Sequence, residues 1–170
     1  MNQSLVTEGK PTEADAKYLR KAIENAKQSR AAGRHPFSSL IVLDGEIIAE
    51  SQSLKRGPTD PTNHSEMRVL REASATRTPD VLARATLYAS TEPCAMCAGG
   101  TYWAGIGRLV FGFSEASLRA MTGAHPWNPT LALSCREVFA RGSRKIEVIG
   151  PYLEDEAAVP HRGFWETLAR

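Results

Sequence analysis

The chain has 170 residues, of which 42% are hydrophobic and 24% charged, with a formal net charge of +2. That length favours a single domain spanning 1–170, able to bury roughly 70% of the surface it exposes when unfolded. The composition excludes wholesale disorder, and the near-neutral charge neither demands nor excludes a nucleic-acid partner.

No apolar run approaches the roughly 20 residues needed to span a bilayer. The polar opening, MNQSLVTEGKPTEADAKY, lacks the apolar core of a signal peptide. The expectation is a cytoplasmic, soluble protein whose residues 1–11 are flexible. Its three cysteines are Cys94, Cys97 and Cys135. An odd number without an export signal argues against a disulfide framework and makes the close pair a metal or redox candidate.

In chain order, PTEADAKYLRKAIENAKQSRAAG reads as a helix. Thr12 and Asp15 resemble a capping box, and Gly33 is its stop. SSLIVL and EIIAES are strands joined by Asp44-Gly45, a hairpin signal. LKRGPTDPT, residues 54–62, is a loop, and its Lys55-Arg56 pair reads as solvated. A helix follows from His64 to about Ala75, then a strand from Ala85 to Ser90 and a helix from about Cys94 to Ala104. RLVFGF is a strand, EASLRAM a short helix, and residues 123–134 are irregular. KIEVIG is the last strand, and a helix from about Leu153, kinked or restarted at Pro160, ends the chain. Strands alternating with helices predict a three-layer α/β/α domain around a mixed, mostly parallel five-stranded sheet with an N-terminal antiparallel hairpin.

The chemistry lies in PCAMC, residues 93–97, and in DPTNHSE, residues 60–66. His64 and Cys94 each stand at a predicted helix start, with one strand between them, and a right-handed crossover brings two such starts to one sheet edge. His64, Cys94 and Cys97 would leave a tetrahedral zinc one open position, the mark of a catalytic site. A water there would have its pKa lowered to about 7. Glu66, two residues beyond the histidine, is placed to move that water's proton. H-x-E followed by P-C-x-x-C is a signature of zinc deaminases of nucleobases. Two other readings stand beside it. A redox pair leaves His64 and Glu66 without a task. A closed structural zinc, in a non-catalytic interaction domain, would recruit Cys135 as fourth ligand. Otherwise Cys135 is a small buried residue.

These residues resemble the cytidine and deoxycytidylate deaminase superfamily, especially the branch of guanine deaminases and bacterial tRNA adenosine deaminases. DPTNHSE is similar to that branch's D-P-T-A-H-A-E. ATLYASTEPCAMCAGGTYWAGIGRLVFG is similar to its L-Y-x-x-x-E-P-C-x-M-C-x-G-A segment, and HPFSSLIVLDGEIIAE to its P-F-G-A-V-I-V-x-D-G-x-I-I hairpin. The resemblance covers about residues 12–113; residues 114–170 diverge and are expected to form a lid and helix. It implies a cytidine-deaminase-like fold, His64, Cys94 and Cys97 as ligands of one zinc per chain, Glu66 as proton shuttle, hydrolytic release of ammonia, and a homodimer.

Three departures from the branch, at five positions, stand out. Ser53 stands where a base-binding Asn is common, Asn63 and Ser65 flank the histidine, and Ser38-Ser39 replace Gly-Ala. Candidate substrate contacts are Ser53, Ser65, Phe37, Trp127, Phe164 and Trp165. Tyr102-Trp103 is similar to guanine deaminases, though both rings also suit core packing or a subunit interface. His35, His125 and His161 read as surface histidines. The expected substrate is a free nucleobase or nucleoside, with guanine or a related purine first. The alternative is a tRNA adenosine deaminase, which would need an extended basic surface.

Overall fold

The computed structural model describes residues 5–53, 60–123 and 125–168. The strands are β1 (Val6–Glu8), β2 (Ser38–Leu43), β3 (Glu46–Gln52), β4 (Thr86–Thr91), β5 (Arg108–Phe113) and β6 (Ile146–Ile149). They form one six-stranded sheet in the order β1-β6-β5-β4-β2-β3, one strand more than expected. The addition is β1, which pairs in parallel with β6 from within a segment expected to be flexible. Three residues carry too little periodicity to announce a strand, so its pairing is settled by β6, far along the chain.

The hairpin forms as its turn residues require. Asp44 and Gly45 both take positive φ, 51° and 84°, the geometry of a two-residue turn whose twist matches the strands. β2 runs antiparallel to both β3 and β4, while β4, β5 and β6 run parallel.

The helices are α1 (Glu13–Ala31), α2 (Ser65–Ser74), α3 (Pro79–Leu82), α4 (Ala95–Ala104), α5 (Glu115–Thr122), α6 (Cys135–Ala140) and α7 (Glu154–Ala158). Alternate strand residues face opposite layers. Leu87, Ala89, Leu109 and Phe111 pack with Val69, Leu70, Ala98 and Phe139 from α2, α4 and α6. Tyr88 and Val110 pack with Leu19, Ile23, Leu118 and Ala157 from α1, α5 and α7. The expected three layers are therefore present.

Two short helices, α3 and α6, were not expected. The C-terminal helix is shorter than expected. It stops at Ala158, the chain turns through Gly163 with φ +69°, and a single 3₁₀ turn, Trp165–Thr167, follows. That path carries Phe164 and Trp165 into the interior, where both are buried. LKRG, in the loop before the histidine, lies outside the described residues.

The capping box of α1 also anchors the sheet. Asp15 accepts from the Thr12 backbone at 2.8 Å, from Tyr88 Oη at 2.8 Å, and from Arg108 through two nitrogens at 2.5 and 2.9 Å. Burial pushes the Asp15 carboxyl up, but the bonds from Arg108, Thr12 and Tyr88 outweigh it and hold the group well below the usual carboxylate range. A group depressed in the fold contributes stability that is present above its unfolded pKa, near 4, and is lost as pH falls below it. Asp15→Asn should flatten the acid limb of the stability curve, and Asp15→Ala should cost about 3 kcal/mol at neutral pH. Denaturant melts from pH 7 down to 3 check both; an unchanged acid limb in Asp15→Asn would contradict this role.

Candidate active site

α2 and α4 start side by side at one edge of the sheet. Before α2 the chain turns on Asp60, whose Oδ1 accepts from the Thr62 backbone at 2.8 Å and from Thr62 Oγ1 at 2.6 Å. That turn delivers His64 to the cap position of α2, with φ −64° and ψ 158°. Cys94 holds the same position on α4, with φ −60° and ψ 169°. Neither side chain caps its own helix. Both are turned to a common point instead.

His64 Nδ1 lies 3.7 Å from Cys94 Sγ and 3.5 Å from Cys97 Sγ. The three ligand atoms all fall within 4.8 Å of one another. Cys97 is one turn beyond Cys94 and buried, while His64 is exposed. One imidazole and two thiols form a donor set that fits zinc and leaves a fourth position open. Cys135 does not join this group. It is buried at the start of α6 in the core, where its backbone N–H donates to Glu92 Oε1 at 3.0 Å.

The electrostatics agree with a cation. A hydrogen bond from Cys97 pulls the Cys94 thiol down to about 4, and His64 helps. Sharing with Cys94, together with burial, pushes the Cys97 thiol up. The His64 imidazole is raised, chiefly by its bond to Cys94. Glu66 is only 7% exposed, and burial pushes its carboxyl up. Ser65 Oγ donates to Glu66 Oε2 at 2.9 Å and sits 3.1 Å from Ser39 Oγ on β2. The hydroxyls at positions 39 and 65 therefore make a short chain that orients the carboxylate. This assigns Ser65 a place behind Glu66.

The other candidates divide. Ser53 directly follows β3, and its N–H donates to the Phe37 carbonyl at 2.9 Å. Phe37 meets His161 and Trp165, with ring centroids at 5.3 and 6.0 Å, and Phe164 stands edge-on to Trp165 at 5.1 Å. These rings gather as one wall. Trp127 is 46% exposed and joins through its backbone N–H, 3.2 Å from His125 Nδ1. Trp103 is 82% exposed, so it packs no core. His125 and His161 are buried, not superficial, because the C-terminal segment folds back over the strand ends.

Sequence reading gave no task to Glu92 or Glu115. Glu92 accepts from the backbone N–H groups of Glu115 and Cys135, both at 3.0 Å, and so ties the starts of α5 and α6 to the residue before Pro93. Glu115 is buried, and its carboxyl is pushed up to about 7 by burial and by the negative charge of Cys94, Glu92 and Glu66. The visible signal was an acid inside TEPC and another just after FGF.

Metal analysis tests the donor set. The chain should hold about one zinc per molecule, Cys97→Ala should lose it, and Cys135→Ala should keep it. Zinc that depends on Cys135 would contradict the three-ligand geometry.

Comparison with known proteins bears on the same residues. Residues 12–113 match the family model of the cytidine and deoxycytidylate deaminase zinc-binding region. A probable cytosine deaminase of Schizosaccharomyces pombe is 41% identical over 155 residues, 91% of this chain and 94% of that protein. A tRNA-specific adenosine deaminase of Bacillus subtilis is 37% identical over 156 residues, covering 92% and 91%. The solved guanine deaminase of Bacillus subtilis superposes with a TM-score of 0.54 at 33% identity, over 64% of this chain and 69% of that one. With the His64–Cys94–Cys97 cluster inside the matched span, the chain belongs to the cytidine and deoxycytidylate deaminase family of zinc-dependent hydrolases.

Proposed function

We propose that this deaminase acts on a free aminated nucleobase or nucleoside and releases ammonia. The observation that carries the reading is the convergence of His64, Cys94 and Cys97 on one point, with a buried carboxylate, Glu66, two residues from the histidine. Those three side chains would hold the zinc. Bound there, it supplies a coordinated water whose pKa falls to about 7.

The chain's own groups do the rest. Glu66 would take one proton from that water and deliver it to a ring nitrogen, then take the second proton, from the hydroxyl added to the ring carbon, and deliver it to the amine, which leaves as ammonia. Burial raises its proton affinity, which suits a group that must both take and release a proton near neutral pH. Ser65 holds the carboxylate in place. Phe37, Phe164 and Trp165 form a flat-sided wall, suited to a planar heterocycle.

Tyr102-Trp103 is similar to guanine deaminases, and Trp103 is exposed on the single chain. The cytosine-deaminase relative supports a single-ring base equally well. The tRNA reading rests on the Bacillus relative. A homodimer fits the outward face of α4, where Trp103 is exposed and a side chain on Gly99 would meet nothing within 4 Å.

An ammonia-release panel of cytosine, guanine, adenine and their nucleosides, run beside an anticodon stem-loop, tests the proposal. Turnover should appear on a free base or nucleoside with none on the RNA. Inosine formation in the RNA, with salt-sensitive binding, would overturn it. Light scattering on the same preparation should give twice the 18.5 kDa chain mass.

A further inference from the structure

Two serines behind Glu66 stand where the similar branch segments have alanine. HPFSSL sets Ser39 against the Ala of G-A, and DPTNHSE sets Ser65 against the Ala between His and Glu. One lies on β2 and the other opens α2, yet their hydroxyl oxygens are 3.1 Å apart. Both are buried, at 0% and 2% exposure. Ser39 shares its face of β2 with Ile41, which packs with Ala89 and with Val69 and Leu70 of α2. A hydroxyl in such apolar surroundings is costly unless it is bonded. Ser38 points to the opposite face, and its hydroxyl donates to the Ser51 carbonyl at 3.0 Å, which braces the hairpin. Ser39 alone of the two bonds toward the site.

The direction of the bonds follows from the carboxylate end. An ionised carboxylate only accepts, so Ser65 Oγ gives its single proton to Glu66 Oε2 at 2.9 Å. Ser65 can then only accept from Ser39, which makes Ser39 the donor of the 3.1 Å bond. The chain therefore runs from Ser39 through Ser65 to Glu66. It begins at a residue with no exposed surface, which suits a holder of the carboxylate rather than a conduit for protons.

Such a holder has a physical task. The last torsion of a glutamate side chain is broad and nearly two-fold, so a carboxylate without a fixed bond turns and exchanges its two oxygens. Proton transfer needs one oxygen held within about 2.6–3.2 Å of its partner atom. A bond to Oε2 removes that freedom. A serine hydroxyl is itself free to rotate, and a second hydroxyl that donates to it fixes the first in turn.

We propose that Ser39 and Ser65 are positioning residues that act as one unit, tying Oε2 of Glu66 so that Oε1 takes and gives the protons of deamination. This rests on the reading of Glu66 as proton carrier above and deepens it. Ser65 acts through the carboxylate, and Ser39 acts only through Ser65. Their loss should slow the proton transfers and leave zinc content and substrate binding as they were. The two alanine-to-serine departures are then one feature, since either hydroxyl without the other is a buried polar group lacking its partner.

The experiment is a double-mutant cycle of Ser39→Ala, Ser65→Ala and the two together, on zinc-loaded enzyme with the free base that wild type turns over best. Ser65→Ala should lower kcat about tenfold and Ser39→Ala about threefold, with KM within about twofold and about one zinc per chain throughout. The double variant should match Ser65→Ala, because Ser39 has no path to Glu66 once Ser65 is gone. Thermal melts of the same four proteins need no substrate. Each single change strands a buried hydroxyl, so the double variant should lose less in Tm than the two singles summed. Unchanged kcat in Ser65→Ala, a double loss equal to the product of the singles, loss of zinc, or additive melts would overturn the assignment while leaving the free-base reading intact. Failure of the zinc-loaded wild type to turn over any free base would contradict that earlier reading, and this one with it.

Discussion

His64 and Cys94 occupy the same backbone position, the residue just before the first turn of a helix, and the site depends on bringing those two positions to one sheet edge. Helix starts normally recruit Ser, Thr, Asp or Asn there, because such side chains satisfy an orphan N–H, a contribution of about 1 kcal/mol. Thr12, Ser114 and Ser134 do this for α1, α5 and α6. His64 and Cys94 do not. Two helices forgo a side-chain cap so that their first residues can face each other. β4 makes this meeting possible, since it lies between the two helices in sequence and ends where both begin.

The same edge concentrates negative charge. Glu66, Glu92 and Glu115 are all buried there, beside two thiols. Glu92 is compensated by two backbone N–H groups. Glu66 is held by one serine hydroxyl, and the thiols share protons with each other and with His64. A divalent cation held by His64, Cys94 and Cys97 would offset this crowding, because it would favour both thiolates at once. What stays under-compensated is the carboxylate of Glu66, and a carboxylate with raised proton affinity beside an activated water is what a proton shuttle requires.

Local signals carried the metal cluster, the hairpin and the parallel strands. H-x-E and P-C-x-x-C are short and chemically specific, Asp44-Gly45 demands its turn, and the apolar runs at 85–90 and 108–113 suit buried parallel strands. The misses share one cause, which is dependence on distant partners. β1 has three residues and exists because β6 offers an edge. His125 and His161 stand beside proline in polar stretches, and only the return of residues 159–168 across the strand ends buries them. Pro160 was visible as a break, but the turn at Gly163 that swings Trp165 inward could be placed only once Arg30 and the Phe37 ring were in position.

The division of labour is therefore clear in residues. In the proposed function, two helix starts would hold the cation and one buried acid would move protons, with a C-terminal ring cluster packed at the strand ends. The acid is the centre of the account. Zinc content and ammonia release measured together on Glu66→Ala test it most directly. The account predicts about one zinc per chain, as in the wild type, with ammonia release lost on every base the wild type turns over. Robust turnover by zinc-loaded Glu66→Ala would contradict it.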